Sequence, residues 1–388
     1  MIELQGLLRA GIVLPAALVA YVYAGYPILL GLLARSRRPR VIEAAEPRWS
    51  VSLVIPAYNE AAVIRAKLEN SLEIDYPRER LEIVVASDGS DDGTNEIVRE
   101  FANRGVVLRP FHPRAGKISV LNRAVPEAKG EIVVLCDANV MFRPDAVRRL
   151  VAHFDDPAVG AVTGDVRIQS QDAPFGEGEG LYYRYERFIQ LCETALGSTV
   201  TVDGGMYAIR KELFRPLPAD TILDDFVIGM NVALSGQRVL YDPLAVATEN
   251  ATVDVRQEFR RKVRIVAGAF RELLRGQGVP GPSQPQLWWS FVSHKLLRWL
   301  VPWCLLVILG CSLGLLGSDG GNLGLRWLVA AQLAFYGAAL IGAARPNARW
   351  PAPIGIPFYF CMVNAAAWLG SIRGLLGLES VTWRKATR

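Results

Sequence analysis

The chain has 388 residues, of which 51% are hydrophobic, and a formal net charge of +5. Its mean hydropathy of +0.21 is high for a soluble protein, and the apolar residues concentrate at the two ends. The five cysteines form no CxxC pair and the three histidines lie far apart, which argues against a disulfide framework, a zinc site or a histidine-centred triad. Any metal is therefore expected to be an oxygen-liganded one such as Mg²⁺ or Mn²⁺.

The first predicted element is a membrane span. Residues 10–34 contain no charged side chain and are long enough to cross a hydrocarbon core of about 30 Å. A signal peptide is the alternative, but the run is too long and does not end in a typical cleavage region. Arginines follow within residues 35–40, which places that side in the cytoplasm by the positive-inside rule. Positive charge near apolar segments also favours lipid over nucleic acid as a partner.

The next part of the chain alternates between short apolar strands and helices. Strands are predicted at residues 51–58, 81–88, 106–108 and 132–136, and helices at 59–72, 93–103 and 117–128. This alternation predicts an α/β fold with a doubly wound, mostly parallel sheet. The sequence contains neither GxGxxG nor GxxxxGK[ST], so it has no dinucleotide fingerprint and no P-loop.

The second half is less regular and ends in apolar segments. Helices are predicted at 143–154, 177–196, 225–234 and 255–275, strands at 160–168 and 238–243, and apolar segments of near-spanning length at 300–316, 328–344 and 354–369. The predicted organisation is an N-terminal span with its basic flank (1–40), a catalytic domain (41–253), basic and interfacial helices (254–299) and a transmembrane region (300–388). Full crossing by the last segment is slightly favoured, with a re-entrant or interfacial segment as the alternative.

Carboxylates follow several of the predicted strands. They are Asp88, Asp137, Asp203 and the pair Asp224 and Asp225. Each alone is most simply a turn or a helix cap. Ligands of open α/β sheets bind beyond the carboxyl ends of the strands, however, and carboxylate oxygens there can hold a hard cation that in turn holds phosphates. A carboxylate pair can also supply a general base if one member stays ionised near pH 7.

Basic residues form a second group of candidates. Arg261 and Arg264 lie one turn apart on the predicted helix at 255–275. One interpretation is a helix that faces the anionic headgroup zone, and the other is a clamp for a diphosphate leaving group; opposite faces could serve both. Lys117 is either a third phosphate contact or simply a lysine at the start of a helix.

The order of seven motifs carries a resemblance to a known family. The motifs are VIPAYNE, SDGSDDGT, GKISVLN, VVLCDAN, VDGGMYAIR, LDDF and RRKVR. Over residues 50–275 the chain resembles the family-2 inverting glycosyltransferases, and within them the membrane-integrated cellulose, chitin-oligosaccharide and hyaluronan synthases. The resemblance implies a GT-A-like fold, a nucleotide-sugar donor (typically a UDP-sugar) and an integral protein of the cell (inner) membrane with a cytoplasmic catalytic domain.

The resemblance also implies roles for individual residues. The donor nucleotide would be bound by Pro56, Ala57, Tyr58, Glu60, Asp88, Lys117, Asp137, Arg261 and Arg264. Asp225 would be the catalytic base beside Asp224, and Asp203, Gly204 and Gly205 would border the acceptor. Mg²⁺ or Mn²⁺ would lie at Asp137 and Asn139, where the family has a second acid; an amide oxygen can still be a ligand, with one negative charge fewer. Ile265 stands where the family has a tryptophan that helps to hold the acceptor.

The predicted function is transfer of a sugar, with inversion, to a polysaccharide or lipid-linked acceptor at the membrane, which forms a β-glycosidic bond. The alternative is a catalytically inactive membrane scaffold or partner of polysaccharide synthesis and secretion, against which the presence of both Asp225 and Arg264 argues. A transporter is disfavoured because the spans carry no charged pathway. The expected partners are the donor, the glycan or lipid-linked acceptor, membrane lipids and polysaccharide-export proteins, with no nucleic acid.

Overall fold

The computed structural model describes residues 2–37, 46–169, 176–250, 254–319 and 322–379. The strands are β1 (Val51–Ala57), β2 (Leu81–Asp88), β3 (Val106–Phe111), β4 (Ile132–Leu135), β5 (Val140–Phe142), β6 (Val159–Gln169), β7 (Tyr207–Arg210) and β8 (Arg238–Asn250). They form one sheet in the order β3-β2-β1-β4-β7-β6-β8-β5. Strands β1 to β4 are parallel, as are β6 and β8, whereas β5 and β7 run antiparallel to their neighbours. The predicted α/β fold with a mostly parallel sheet is confirmed.

Thirteen helices are described along the chain. They are α1 (Ile2–Ala20), α2 (Tyr26–Ala34), α3 (Ile64–Leu72), α4 (Thr94–Arg99), α5 (Lys117–Glu127), α6 (Ala146–Ala152), α7 (Gly176–Leu196), α8 (Asp224–Leu234), α9 (Val255–Leu274), α10 (Pro285–Phe291), α11 (Leu297–Asp319), α12 (Leu323–Ala344) and α13 (Ala352–Leu375). Short π-helical stretches, Tyr21–Gly25 and Val292–Leu296, join α1 to α2 and α10 to α11.

The first four strands position the site. In β1 and β4 nearly every side chain is buried, because helices cover both faces of the sheet, and this explains their continuous runs of Val, Ile and Leu. Strand β1 pairs with β2 on one side and with β4 on the other, so the strand order reverses between β1 and β4. This reversal opens a crevice beyond the carboxyl ends of the strands, where ligands of such sheets bind.

The structure corrects several predicted boundaries. The helix predicted at 59–72 begins only at Ile64, because Asn59 adopts a positive φ of 54° and its side chain exchanges hydrogen bonds with Asp91. Strands β5 and β7 were not predicted, and β8 extends to Asn250. Some of the predicted basic flank after residue 37 and the tail after residue 379 lie outside the described residues.

Four helices are long and apolar enough to cross a membrane by length and composition. They are Glu3–Ala34, Pro285–Gly317, Leu323–Ala344 and Ala352–Leu375. The first of these is the predicted N-terminal span, and the other three contain the predicted C-terminal segments.

A polar network joins these helices to the globular part. Tyr26 donates a hydrogen bond of 2.8 Å to Glu193 on α7, and His294 lies 2.9 Å from Glu193 and 3.1 Å from Glu186. Arg298 forms an ion pair with Glu186 as well. The network fixes α7 against the N-terminal helix and against the start of α11.

Helices α9 and α13 lie side by side along most of their lengths. Near one end, Val255 packs in a cluster with Phe358 and Met362 of α13. Near the other end, glycines bring the two backbones together: a Cβ on Gly370 would lie 2.7 Å from the carbonyl oxygen of Val263, and a Cβ on Gly374 would lie 2.5 Å from that of Ala267. Because residue numbers rise together in both helices, they run in the same direction.

Candidate active site

Asp88, at the end of β2, holds the loop that precedes α5. The two oxygens of the Asp88 carboxylate accept hydrogen bonds of 2.8 Å from the backbone amides of Ala115 and Gly116. Gly116 has a positive φ of 91°, a conformation that glycine adopts readily, and α5 begins at the next residue. Asp88 is 5% exposed, so its direct structural role is to hold the loop that leads into Lys117.

The residues predicted to bind the nucleotide base differ in accessibility. Ala57 and Glu60 are buried, while Pro56 and Tyr58 remain partly exposed at the end of β1. The guanidinium of Arg114 lies 3.6 Å from the centroid of the Tyr58 ring. An aromatic ring and a planar cation are both suited to stacking on a base, so Tyr58 and Arg114 form a surface for one.

Lys117 links the two halves of the sheet edge. Its Nζ lies 3.0 Å from Oδ1 of Asp137, which follows β4, and 3.1 Å from Oδ2 of Asp224, which begins α8. Burial opposes the charged form, but Asp137 and Asp224 together raise the pKa of Lys117 well above its ordinary value. Lys117 is therefore a permanent cation at the centre of the site, with two carboxylates around it.

Asp225 is the carboxylate of the site whose pKa is raised to near neutral pH. Burial and the neighbouring Asp224 raise the pKa of Asp225 to about 7, while Lys117 partly opposes the increase. A carboxylate with this pKa can accept a proton at neutral pH and release it again, as a general base must. Phe226 donates its backbone amide to Oδ1 of Asp225 at 2.7 Å and so orients the carboxylate.

The turn before β7 approaches Asp225 closely. A Cβ on Gly204 would lie 2.8 Å from Oδ2 of Asp225, so a side chain there would displace the carboxylate. The amide of Gly205 donates 2.9 Å to Asp203, and burial raises the pKa of Asp203 to about 6. The predicted acceptor residues and the predicted base are thus direct neighbours.

Oxygen donors for a cation cluster after β4. Asp137 is half-exposed and Asn139 donates from Nδ2 to Oε1 of Glu249 at 2.7 Å, which places a second carboxylate beside the asparagine. Within the described residues there is no group of three or more His, Cys, Asp and Glu side chains arranged to hold a metal. The donor set is nevertheless of hard oxygens only, which fits Mg²⁺ or Mn²⁺ bound jointly with phosphates rather than a closed protein cage.

The two arginines of α9 have different surroundings. Arg261 forms two hydrogen bonds with Glu258 of its own helix, at 2.8 and 3.1 Å. Burial lowers the pKa of Arg264, and the charges of Glu379 and then Asp224 act on it in the opposite sense. Arg264 therefore lies within electrostatic range of Asp224, while the guanidinium of Arg261 is largely engaged by Glu258.

Glu249 was missed by sequence reasoning. It reaches the site because β8 pairs with β5, with Glu249 opposite Val140, the residue after Asn139. The residues ATEN at 247–250 give no local signal of this contact, since it depends on the register between two distant strands. Asp88, Lys117, Asp137, Asn139, Asp203, Gly204, Gly205, Asp224 and Asp225 do come together along the sheet edge.

A mostly parallel sheet with carboxylates at the ends of β2 and β4 is the architecture of an α/β enzyme that binds its ligand at the sheet edge. The family model described as glycosyltransferase like family 2 matches residues 47–278. The chain belongs to this family, and it is a glycosyltransferase.

Similar proteins extend this result. Poly-beta-1,6-N-acetyl-D-glucosamine synthase of Staphylococcus aureus (strain COL) is 27% identical over 231 residues, which are 58% of this chain and 56% of that protein. The corresponding synthase of Staphylococcus epidermidis is 26% identical over 253 residues, or 64% and 58% of the two chains. The chain thus spans little more than half the length of these relatives. The structure of the mannosyltransferase PcManGT from Pyrobaculum calidifontis in complex with GDP-Man and Mn²⁺ is similar with a TM-score of 0.73 and 26% identity, and the match covers 96% of this chain and 100% of that one.

Proposed function

We propose that the chain is an inverting glycosyltransferase that moves a sugar from a nucleoside-diphosphate donor to a hydroxyl of a glycan or lipid-linked acceptor at the membrane. The observation that carries the proposal is the position of Asp225, a half-buried carboxylate with a pKa of about 7, beside the acidic edge of the sheet and the Gly204 turn. A scaffold without activity would not need a carboxylate poised to exchange its proton at neutral pH.

The chemistry follows from the charges of the site. Asp225 takes the proton of the acceptor hydroxyl, whose oxygen attacks the anomeric carbon from the face opposite the leaving group. The carbon–oxygen bond to the diphosphate breaks, the diphosphate leaves with the electron pair, and an α-linked donor yields a β-linkage. Lys117 and Arg264 stabilise the charge that develops on the leaving group.

A divalent cation fits the same edge. Asp137, Asn139 and Glu249 would hold it with the donor phosphates, and when bound it neutralises charge on the departing diphosphate. Tyr58, Arg114 and the loops held by Asp88 would bind the nucleoside. The family resemblance implies a UDP-sugar, and the mannosyltransferase structure contains GDP-Man, so both kinds of donor are to be tested.

The membrane helices suit an integral protein of the cell membrane, with residues 41–253 as its catalytic domain on the cytoplasmic side. This orientation agrees with Arg35 and Arg37, which follow the first candidate span.

Release of nucleoside diphosphate tests the proposal. The purified full chain is incubated with a panel of UDP-sugars and GDP-mannose, in the presence of Mg²⁺ or Mn²⁺ and a membrane lipid extract. We expect Asp225→Asn to lower the rate by about 10²-fold or more, since a general base typically contributes that factor, without any loss of donor affinity.

The matched control is Asp75→Asn, because Asp75 is an exposed aspartate whose carboxylate pairs, among the described residues, only with Arg148. Equal rates for wild type and Asp225→Asn would refute the base assignment. No release from any donor by the wild type would instead support the inactive scaffold.

A further inference from the structure

A cavity of about 500 Å³ adjoins Asp225 on the side of the membrane helices. Asp225 and Phe226 form its catalytic end. The remaining wall comes mainly from α7, α9, α13, the start of α11 and Tyr23 of the N-terminal span, and it is mainly aliphatic and aromatic, with Leu181, Ile265 and Val363 among its members. A molecule bound here would touch the proposed base at one end and apolar side chains along the rest of its length.

Candidate membrane spans form part of the cavity wall. Helix α9 contributes Lys262 and Ile265 to the wall, and its many basic side chains keep it out of the hydrocarbon. Tyr23 and Trp299 face the cavity from the N-terminal candidate span and from the candidate span that contains α11. A lipid that enters between these spans would therefore reach the end of the cavity formed by Asp225.

The cavity also contains a cation that makes no direct polar contact within the described part of the chain. Among the described residues, Lys295 forms no hydrogen bond and no ion pair, although its side chain lines the cavity. The other two cations of the wall are engaged: Lys262 lies 3.5 Å from Glu258, and Arg298 pairs with Glu186. An unpaired ammonium in such surroundings is costly, so its presence points to an anionic ligand that completes it.

We propose that this cavity binds the acceptor, and that the acceptor is an anionic lipid whose head group carries both a phosphate and a hydroxyl. Lys295 binds the phosphate, the apolar wall takes the first part of the lipid chain, and the hydroxyl is presented to Asp225. The inference rests on the proposed function in taking Asp225 as the base. In the reaction the hydroxyl oxygen bonds to the anomeric carbon, its proton passes to Asp225, and the nucleoside diphosphate departs with the electron pair of the broken bond.

Lipid binding tests the site separately from catalysis. The full chain is placed in nanodiscs that contain phosphatidylglycerol, which is anionic and bears hydroxyls, and phosphatidylcholine, which has neither property; retained lipid is then measured by native mass spectrometry. We expect preferential retention of phosphatidylglycerol, reduced about tenfold by Lys295→Gln through the loss of one charge-assisted contact.

Two variants and one competitor sharpen this test. Lys295→Arg should restore retention, which separates the charge from the packing of the side chain. Lys129→Gln is the matched control, because Lys129 is 80% exposed and remote from the cavity wall. The proposal would be overturned if wild type retained the two lipids equally, or if Lys295→Gln retained as much phosphatidylglycerol as wild type. Displacement of phosphatidylglycerol by inorganic phosphate would overturn it too.

The fate of the sugar gives a second, independent result. With a labelled donor and native lipid extract, we expect the label in the organic phase and a higher KM for lipid in Lys295→Gln at an unchanged KM for donor. Label recovered only as water-soluble glycan would contradict the lipid acceptor while leaving the glycosyltransferase proposal intact. If no diphosphate is released but lipid selectivity is preserved, the glycosyltransferase proposal is contradicted while lipid binding in the cavity is supported.

Discussion

At the scale of single residues, two adjacent carboxylates determine the pH range in which this site can work. Burial and Asp224 raise the pKa of Asp225 to about 7, and only its ionised form can accept a proton. Activity should therefore be full above about pH 7 and fall as the pH decreases through that value, by about tenfold per unit once the base is protonated.

Asp224→Asn provides the test of this pH dependence. Removal of its negative charge lowers the pKa of Asp225, and Lys117, which loses one of its two carboxylate partners, acts in the same direction. We expect the acidic limb of the kcat/KM profile to move to lower pH. An unmoved limb in Asp224→Asn would show that another group controls it, and Asp75→Asn should leave the profile unchanged.

At the scale of the elements, the sequence predicts where the longer strands lie but not which strands pair with each other in the sheet. Continuous apolar runs identify β1, β2 and β4 because both faces of these strands are buried, and each is followed by a residue of the site. Strands β5 and β7 are only three and four residues long, and neither has the continuous run of Ile, Val and Leu that identifies the equally short β4. The contact between Asn139 and Glu249 follows from the β5–β8 register, which no local motif encodes.

The pairing of α9 with α13 depends on glycine. A Cβ on Gly370 would lie 2.7 Å from a backbone oxygen of α9, which cannot move independently of its helix. We expect Gly370→Leu to destabilise the protein by about 1–3 kcal/mol, the usual range for overpacking, measured by thermal unfolding in detergent. Gly337→Leu on α12 is the control, since no atom lies within 4 Å of its Cβ position. Equal effects of the two substitutions would contradict the close pairing.

At the scale of the whole molecule, the same pairing bears on membrane topology. Helix α9 is too basic to enter the hydrocarbon. Its segment from Val255 to Phe270 packs against α13. We therefore expect α13 to lie at the interface and the C-terminus to be on the side of the catalytic domain. Arg373 and the basic residues after 379 would then be cytoplasmic, as the positive-inside rule favours.

Reporter fusions test this topology. A reporter that is active only in the cytoplasm should be active after Arg388, and a fusion after residue 319, between α11 and α12, serves as the opposite control. An inactive reporter after Arg388 would establish full crossing by α13. Hydropathy alone favoured full crossing slightly, because it measures the composition of a helix and contains no information about the charged helix that packs beside it.

The double contact of Lys117 has a thermodynamic consequence. Its ammonium lowers the pKa of Asp225 while it rests between Asp137 and Asp224. A donor diphosphate that drew this ammonium toward itself would withdraw that effect, and any negative charge left on the diphosphate after cation binding would act in the same sense, so donor would make Asp225 more basic. By reciprocity, a protonated Asp225 would bind donor more tightly than an ionised one. Donor and proton would then be linked ligands, and the base would be strongest once the donor is in place.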